Sequence, residues 1–366
     1  MTKKIAITGA TGFIGTALVE YLRQHTDFHI TALVRDYSKC ARIARHNIEM
    51  KTYHWSDANQ LTNLLKGYDY VVHCAFDPGS VANNLKAAQA LATACIANKT
   101  KLVHLSSISV YEPLHGDELS EEKVPEESKL PYPYAKQQIE KEILKYVSQG
   151  LELSVLLPTI VYGPFSKPWT IKPCKDLMSG KVILPDGGKG VCNPVHIDDV
   201  CQAIFKACLT KHKSGERFLI SGPDFVTWDE FYKSFQVQLK TGGIEHISYE
   251  AIRKKLSNPI SYLKLALVNP KLILQIPLIR ALAVYCYRRF QKVINLDKIR
   301  ALYRGYRSVA PELKHFPNKQ LLELYHAPTK VDISKAQKLL GYEPRYSFAQ
   351  GMQNTGKFVR WYFGHP

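Results

Sequence analysis

A glycine-rich turn near the N-terminus is the feature that most constrains how this chain folds. A short apolar stretch at 4–8 runs directly into Gly9, Ala10, Thr11, Gly12, Phe13, Ile14 and Gly15. The apolar residues at 14, 17, 18, 21 and 22 then follow the spacing of a helix. Glycines between a strand and a helix let a pyrophosphate approach the N–H groups at the helix start. A tight strand–helix turn is the plainer interpretation, but a second strand at 30–34 favours dinucleotide binding.

A tyrosine and a lysine four residues apart form the second informative pattern. Tyr132 and Lys136 share one face of a helix, because positions i and i+4 are neighbours there. We expect the ammonium to lower the pKa of the phenol from about 10 towards neutral pH. A hydroxyl from the upstream pair Ser106 and Ser107 could hold a carbonyl or alcohol oxygen while the phenol exchanges its proton. Tyr134 is the competing tyrosine, but residues two apart point to different faces.

Together these patterns resemble the extended short-chain dehydrogenase/reductase family, in its NAD-dependent epimerase/dehydratase type. The loop 9–15 matches the family's Gly-x-x-Gly-x-x-Gly cofactor motif, and 105–111 matches the strand that carries its catalytic serine. Alignment on Val110 and Tyr111 makes Ser107 that serine. It stands 25 residues before Tyr132, a separation that the family shows. The resemblance covers most of the chain, so it implies the family's fold and chemistry.

The resemblance also implies a role for individual residues. Ser107 would hold the reacting oxygen, Tyr132 would transfer the proton, and Lys136 would bind the nicotinamide ribose while lowering the pKa of Tyr132. These three residues are the predicted catalytic set. The predicted cofactor-binding residues are Gly9, Thr11, Gly12, Phe13, Ile14, Gly15, Arg35, Ala75, Lys136 and Pro158.

The implied fold is α/β, a Rossmann-type doubly wound parallel sheet with a smaller C-terminal substrate domain. Strand–helix alternation is readable to about residue 160, with strands near 4–8, 30–34, 70–74, 101–106 and 153–157. Beyond that point, loops rich in Pro and Gly are typical of a variable substrate region. We therefore expect an NAD(P)-binding domain at 1–165, with 190–222 returning to it, and a mainly substrate-binding domain at 166–366.

The end of the second strand indicates which dinucleotide is used. An acid there binds the adenosine ribose and selects NAD, whereas an arginine accommodates the 2′-phosphate of NADP. The strand is followed by Arg35 and Asp36, with Lys39 close behind, and Val34 takes the usual place of the acid. Arg35 favours NADP(H) over NAD(H). Asp36 keeps the alternative open, because a strand one residue longer would give it the role of the acid.

A departure from the family pattern narrows the reaction. Sugar 4,6-dehydratases carry an Asp-Glu pair directly after the catalytic hydroxyl residue, where this chain has Ile108 and Ser109. Neither side chain can perform that acid–base work, which argues against a dehydratase. A 4-keto reductase or a 4-epimerase of a nucleotide-linked or lipid-linked sugar fits the residues. The alternatives are a reductase of a hydrophobic ketone or hydroxysteroid-like substrate, and a redox sensor, against which the retained Tyr/Lys pair argues.

The stretch 251–310 holds most of the net charge. It contains 13 Lys and Arg residues against one acid, Asp297, a net of +12 out of +17 for the whole chain. Its apolar run is shorter than the roughly 20 residues of a membrane span. Three interpretations stay open: a basic part of the substrate domain serving an anionic nucleotide, a helix lying on anionic lipid, and nucleic-acid binding. No nucleic-acid module is recognisable, so no nucleic-acid partner is predicted.

The eight cysteines are scattered, without a Cys-x-x-Cys pair or a Cys/His cluster at metal spacing. We therefore predict no metal site and a reducing, cytoplasmic location, peripheral on a membrane if 251–310 contacts lipid. The first strand follows Met1 almost at once, so no signal peptide is expected. The predicted partner is a small-molecule or lipid-linked substrate, and a homodimer is compatible with the resemblance.

Overall fold

The computed structural model describes residues 2–257 and 313–364. Its strands are β1 Lys4–Thr8, β2 His29–Val34, β3 Glu49–Thr52, β4 Tyr70–His73, β5 Lys101–Leu105, β6 Glu118–Leu119, β7 Leu153–Pro158, β8 Ile160–Tyr162, β9 Gly180–Pro185, β10 Pro194–His196, β11 Glu216–Ile220, β12 Gly243–Ile247, β13 Leu313–His315 and β14 Lys330–Val331. Its α-helices are α1 Phe13–His25, α2 Ala41–Ala44, α3 Ala58–Leu64, α4 Val81–Asn98, α5 Pro131–Leu144, α6 Lys172–Ser179, α7 Ile197–Leu209, α8 Trp228–Leu239, α9 Tyr249–Ser257, α10 Lys319–His326, α11 Ser334–Leu340 and α12 Phe348–Phe363.

A parallel sheet forms the centre of the molecule. Seven strands of the described residues make it up, in the spatial order β11-β7-β5-β4-β1-β2-β3, and each neighbouring pair is parallel. The five strands predicted from the alternation agree with β1, β2, β4, β5 and β7 to within one residue. The order reverses between β1 and β4, which is where doubly wound sheets open a ligand crevice at the carboxyl ends of their strands. The predicted fold class is confirmed.

Helices cover both faces of this sheet, which explains why its strands are apolar on both sides. Side chains of a strand alternate between faces, so Ile5 and Ile7 pack with α1 and α7, whereas Ala6 packs with the layer of α3, α4 and α5. All three residues are fully buried. Two apolar layers thus hold the sheet rigid and leave its carboxyl edge as the place for a site.

A second, smaller core lies in the C-terminal part of the chain. The three-stranded sheet β12-β9-β13 and the helices α6, α8, α10 and α12 surround it. Trp228 at the start of α8 is completely buried, and its indole N–H donates to the carbonyl oxygen of Leu324 on α10 at 3.1 Å. Trp169 and Tyr325 pack on the same indole, with ring centroids 5.5 and 4.5 Å away. Aromatic packing therefore joins segments that are far apart in the sequence.

The chain returns to the first core after leaving it. Residues 197–209 form α7 and 216–220 form the edge strand β11, and both belong to the segment 190–222. The exact domain boundaries stay a prediction. Most of the basic stretch expected at 251–310 lies outside the described residues; only 251–257, within α9, are described. Within 2–257 and 313–364, the helices lack the length and apolar character of a membrane span.

Candidate active site

The glycine loop turns the chain from β1 into α1 through positions that leave no room for side chains. Gly9 has a φ of +66°, in the left-handed region, and a Cβ there would lie 2.7 Å from the backbone nitrogen of Ala75. A Cβ on Gly15 would overlap the carbonyl oxygen of Gly9. Gly9 therefore lets the loop pass close to the end of β4, while Gly15 lets α1 pack against the loop.

The start of α1 is suited to an anion. Gly12 precedes the helix and offers no side chain to cap it, and the first turn carries no acid. The N–H groups of a first helical turn have no partner within the helix, and the helix dipole places partial positive charge there. A cleft of about 390 Å³ lies at this end of the helix. Its uncapped N–H groups and bare backbone fit the pyrophosphate of a dinucleotide.

Five of the predicted cofactor residues line this cleft together with side chains that the sequence did not single out. The predicted ones are Gly9, Thr11, Gly12, Arg35 and Ala75, and the additional ones include Tyr53, Trp55, Phe76 and Lys167; Lys39, noted behind Arg35, lines it too. Phe13, Ile14 and Gly15 form the first turn of α1, and Pro158 ends β7. These four and Lys136 do not line the cleft, so direct contact with a dinucleotide through them stays a prediction.

The end of the cleft beside β2 is basic. β2 ends at Val34, so Arg35 is the first residue beyond the strand, and it lines the cleft with Lys39 and Lys167. Asp36 caps the following turn: its Oδ1 accepts from the backbone N–H of Ser38 at 2.9 Å and also from the Ser38 hydroxyl. Its carboxylate is therefore occupied locally, and it does not line the cleft.

Ser107, Tyr132 and Lys136 converge beside this cleft. Ser107 is the second residue beyond β5, and its hydroxyl accepts from the backbone N–H of Ser109 at 3.2 Å and hydrogen-bonds Tyr132. Tyr132 and Lys136 lie one turn apart on α5, with the ammonium 6.0 Å from the phenol ring centroid. Phe76 packs edge-on against Tyr132 at 5.2 Å, and the ammonium lies 4.8 Å from its ring centroid. Phe76 thus links the cleft to both predicted catalytic groups.

The electrostatics of the pair correct one expectation. Burial raises the pKa of the Tyr132 phenol, and the hydrogen bond from Ser107 only partly opposes it, although 42% of the residue surface is exposed. The predicted lowering of this pKa by Lys136 was wrong. The reason is that Lys136 is itself buried, donates to the carbonyl oxygen of Leu105 at 2.9 Å, and has its pKa lowered by burial to about 8.

The two upstream serines have separate partners. Ser106 is buried and donates to Oε2 of Glu140 at 2.7 Å, one helical turn beyond Lys136. The other oxygen of Glu140 pairs with Nε of Arg217 on β11 at 2.5 Å. Ser106 thus fastens the end of β5 to α5, while Ser107 turns towards Tyr132. The structure therefore separates the two hydroxyls by their contacts, a distinction that adjacent serines in a sequence do not provide.

Lys167 is the cleft residue that sequence reasoning missed most completely. It opens a short π-helical segment, Lys167–Ile171, in the loop after β8. Nothing in its local sequence distinguishes it from other surface lysines. It reaches the dinucleotide cleft because this loop folds back over α2, where the ring centroid of Phe165 lies 3.8 Å from the guanidinium carbon of Arg42. No pattern within a short window could have found it.

A model of the NAD dependent epimerase/dehydratase family matches residues 5–221, which is more than half of the chain. Over its full length the chain is similar to a UDP-glucose 4-epimerase of Vibrio cholerae. The two are 23% identical over 384 residues, covering 98% of this chain and 95% of the relative. The match therefore includes the C-terminal part, beyond the residues that the family model covers.

Solved structures of sugar-nucleotide enzymes share the fold. UDP-glucuronic acid 4-epimerase from Bacillus cereus, in complex with UDP-glucuronic acid and NAD, superimposes with a TM-score of 0.68 at 20% identity, covering 98% of this chain and 99% of that one. UDP-glucose 4-epimerase from Thermotoga maritima, with UDP-glucose, gives 0.66 at 19% identity with the same coverage. At such identities the likeness shows the fold alone.

Proposed function

This chain belongs to the NAD dependent epimerase/dehydratase family, and from that membership we propose that it is a 4-epimerase or 4-keto reductase of a nucleotide-linked sugar. The observation that carries the proposal is the convergence of Ser107, Tyr132 and Lys136 beside a cleft built for a dinucleotide. A dehydratase is disfavoured, because the turn after Ser107 offers Ile108 and Ser109 in place of an acid pair.

Each of the three residues has a role that its contacts support. The Tyr132 phenol gives its proton to a ketone oxygen at C4, or takes the proton of a C4 hydroxyl in the reverse direction. Its raised pKa keeps the phenol protonated, which is the form that can donate a proton to a ketone oxygen. Ser107 holds the same oxygen, and Lys136 orients the site and binds the nicotinamide ribose. A bound nicotinamide would supply and accept the hydride.

We propose NADP(H) as the preferred cofactor. Arg35, Lys39 and Lys167 bring three cations to the cleft, where a 2′-phosphate gains charge-assisted hydrogen bonds. Asp36 would have to leave its contact with Ser38 to bind ribose hydroxyls as an NAD-selecting acid does. The cleft also holds Asp77, but its carboxylate is already bonded to Asn83 at 3.1 Å and to the N–H of Gly79 at 2.9 Å.

One purified preparation can test this proposal. Native mass measurement is expected to show a co-purified nicotinamide dinucleotide. Incubation with UDP-glucose should give the C4 epimer without net cofactor consumption if the protein is an epimerase. Stoichiometric consumption of NADPH with a 4-keto sugar nucleotide would identify a reductase. A protein that binds dinucleotide but converts neither class of sugar would refute the proposed function and favour the hydrophobic-ketone alternative.

Contact with a membrane is a separate proposal, and a lipid-linked sugar would be the matching substrate. It rests on the +12 excess of 251–310 and on two exposed aromatic residues of α12, Trp361 at 73% and Tyr362 at 42% exposure. Basic and interfacial aromatic residues favour anionic lipid, at about 1 kcal/mol per basic residue near the surface. Such a protein would be cytoplasmic and peripheral on the membrane.

Liposome co-sedimentation tests this contact. Binding is expected only to vesicles with anionic lipid, and high salt should release part of the protein, because the Debye length falls to about 3 Å at 1 M. Neutralising four basic residues together should weaken binding: Arg280, Arg288, Arg289 and Lys292. Equal binding to neutral and anionic vesicles would contradict the proposal. A homodimer stays a prediction that the described residues do not address.

A further inference from the structure

Glu112 occupies a position at the active site that the proposed chemistry does not use. It directly follows the short helical turn Ile108–Tyr111, which begins after Ser107, and its backbone N–H donates to the carbonyl oxygen of Ser109 at 3.0 Å. The residue is half-buried. The turn therefore fixes Glu112 relative to Ser107, on the stretch that brings the predicted catalytic serine to Tyr132.

The carboxylate is held from the C-terminal part of the chain. Gln320, near the start of α10, donates from Nε2 to Oε2 of Glu112 at 2.7 Å, across 208 residues of sequence. Within residues 2–257 and 313–364, the other oxygen, Oε1, has no hydrogen-bond partner. One oxygen is thus anchored, and among the residues that the structure describes nothing occupies the other, so it can accept a hydrogen bond from a ligand.

The charge of the Glu112 carboxylate acts on the phenol of Tyr132. Burial and the negative charge of Glu112 both raise the pKa of Tyr132, while Ser107 lowers it. Burial also raises the pKa of the Glu112 carboxyl above its ordinary value, and the hydrogen bond from Gln320 partly opposes that shift. A carboxylate therefore lies within electrostatic range of the oxygen at which the sugar would react.

We infer that Glu112, positioned by Gln320, is a specificity-determining residue that selects a neutral hydroxyl-bearing sugar over a uronate. This inference rests on the proposed function and names the substrate class of the same site. The free oxygen of Glu112 accepts a hydrogen bond from a sugar hydroxyl. A sugar carboxylate brought to the same place meets like charge at a partly desolvated position, where juxtaposition of like charges costs several kcal/mol.

A purely structural role for Glu112 leads to a different expectation. If the carboxylate only connects the turn after Ser107 to α10, then losing that hydrogen bond should lower kcat/KM equally for both sugars. If its charge selects the sugar, then neutralising the charge should change their ratio. Two substitutions separate these effects. Glu112→Gln removes the charge and keeps an oxygen for Gln320, whereas Gln320→Leu removes the tie and keeps the charge.

The experiment compares UDP-glucose with UDP-glucuronate, which share the nucleotide and differ in charge at C6. Steady-state kcat/KM is measured for both on the full-length, dinucleotide-loaded protein, its two variants and the control Glu122→Gln, an exposed acid of the same loop region. The unmodified protein is expected to favour UDP-glucose at least about tenfold. Glu112→Gln should narrow that ratio at least about tenfold, mainly through better use of UDP-glucuronate.

The second variant and the control distinguish a role in sugar selection from a purely structural role. Gln320→Leu should lower kcat/KM for UDP-glucose about three- to tenfold, an effect of losing one hydrogen bond to a charged group, while keeping the ratio within about threefold. Glu122→Gln should change neither value. Equal use of both sugars by the unmodified protein, or an unchanged ratio in Glu112→Gln, would overturn the inference alone. Conversion of neither sugar by a protein that binds dinucleotide, together with no oxidation of NADPH by a 4-keto sugar nucleotide, would overturn the proposed function as well.

Discussion

The dinucleotide cleft and the aromatic core around Trp228 are built in opposite ways. The cleft takes these groups from the ends of strands that are neighbours in the sheet, with Gly9 after β1, Arg35 after β2 and Ala75 after β4. Each group follows its strand by one or two residues, so short patterns locate it. Trp228 instead contacts Trp169 and Tyr325, which are separated from it by 59 and 97 residues. The first region is encoded locally, and the second depends on the folding of distant segments onto each other.

This difference also separates the groups that would carry out the reaction from those that would select the sugar. The cleft and α5 supply groups that any substrate of the family would meet: N–H donors, a phenol and an ammonium. The C-terminal core places α10, and with it Gln320, against the turn that follows Ser107. Substitutions in the first region should therefore affect turnover or cofactor binding, and substitutions in the second should affect stability or the choice of sugar.

The largest effect is expected from the chemistry of α5. Tyr132→Phe should keep dinucleotide binding but lower turnover by roughly 10²–10⁴-fold, the usual contribution of general acid–base catalysis. Tyr134→Phe should be mild, because Tyr134 lies on another face of the helix. Steady-state rates and a dinucleotide titration on both variants check this pair. A larger loss of turnover in Tyr134→Phe would reassign the proton donor.

A substitution in the aromatic core around Trp228 should lower the stability of the protein. Trp228→Ala removes a fully buried indole with a hydrogen bond to Leu324, and should lower the free energy of unfolding by about 3–5 kcal/mol. Trp361→Ala is the matched control, since 73% of that side chain is exposed, and a change within about 0.5 kcal/mol is expected. Denaturant unfolding measures both. Equal losses would show that the described packing does not carry the stability of this core.

A substitution at the basic end of the cleft should have a smaller effect, on cofactor binding. Arg35→Ala should weaken NADPH binding by about 1.5–3 kcal/mol, the range for hydrogen bonds to charged groups, and leave NADH nearly unchanged. Lys167→Ala should follow the same pattern if the loop after β8 completes the phosphate site. Fluorescence titration with both dinucleotides checks this. Equal losses for the two, or tight NADH binding by the unmodified protein, would return the choice to NAD and Asp36.

The smallest effect near neutral pH concerns Lys136. Burial lowers the pKa of its ammonium from 10.5 to about 8, with Cys74 and Glu140 partly opposing the shift. Below pH 8 the group is a cation, and above it the proton is lost, so kcat/KM should be halved near pH 8 and fall further at higher pH. A pH–rate profile measures this decrease in kcat/KM at alkaline pH. Lys136→Arg keeps its positive charge at every accessible pH, so the residual activity of this variant should not decrease above pH 8.

What the sequence determined by itself is local. The spacing of Gly9, Gly12 and Gly15 predicts a strand–helix turn without side chains, because backbone conformation depends on immediate neighbours. The four-residue step from Tyr132 to Lys136 predicts a shared helix face for the same reason. Strand–helix alternation then predicts the parallel sheet, since connections between parallel strands need a crossover. These predictions concern separations of a few residues, where the geometry of the chain is fixed by covalent structure and hydrogen bonding.

The tertiary structure decided whatever depends on segments meeting. It separated Ser106 from Ser107 through Glu140, brought Lys167 to the cleft, and placed Gln320 against Glu112 across 208 residues. It also reversed the expected pKa shift of Tyr132, because burial of the phenol and of Lys136 outweighs their proximity. Desolvation and long-range contacts are properties of the packed molecule. Residue spacing along the chain cannot predict these effects, since they arise only when the central sheet, the smaller sheet and the aromatic core have packed together.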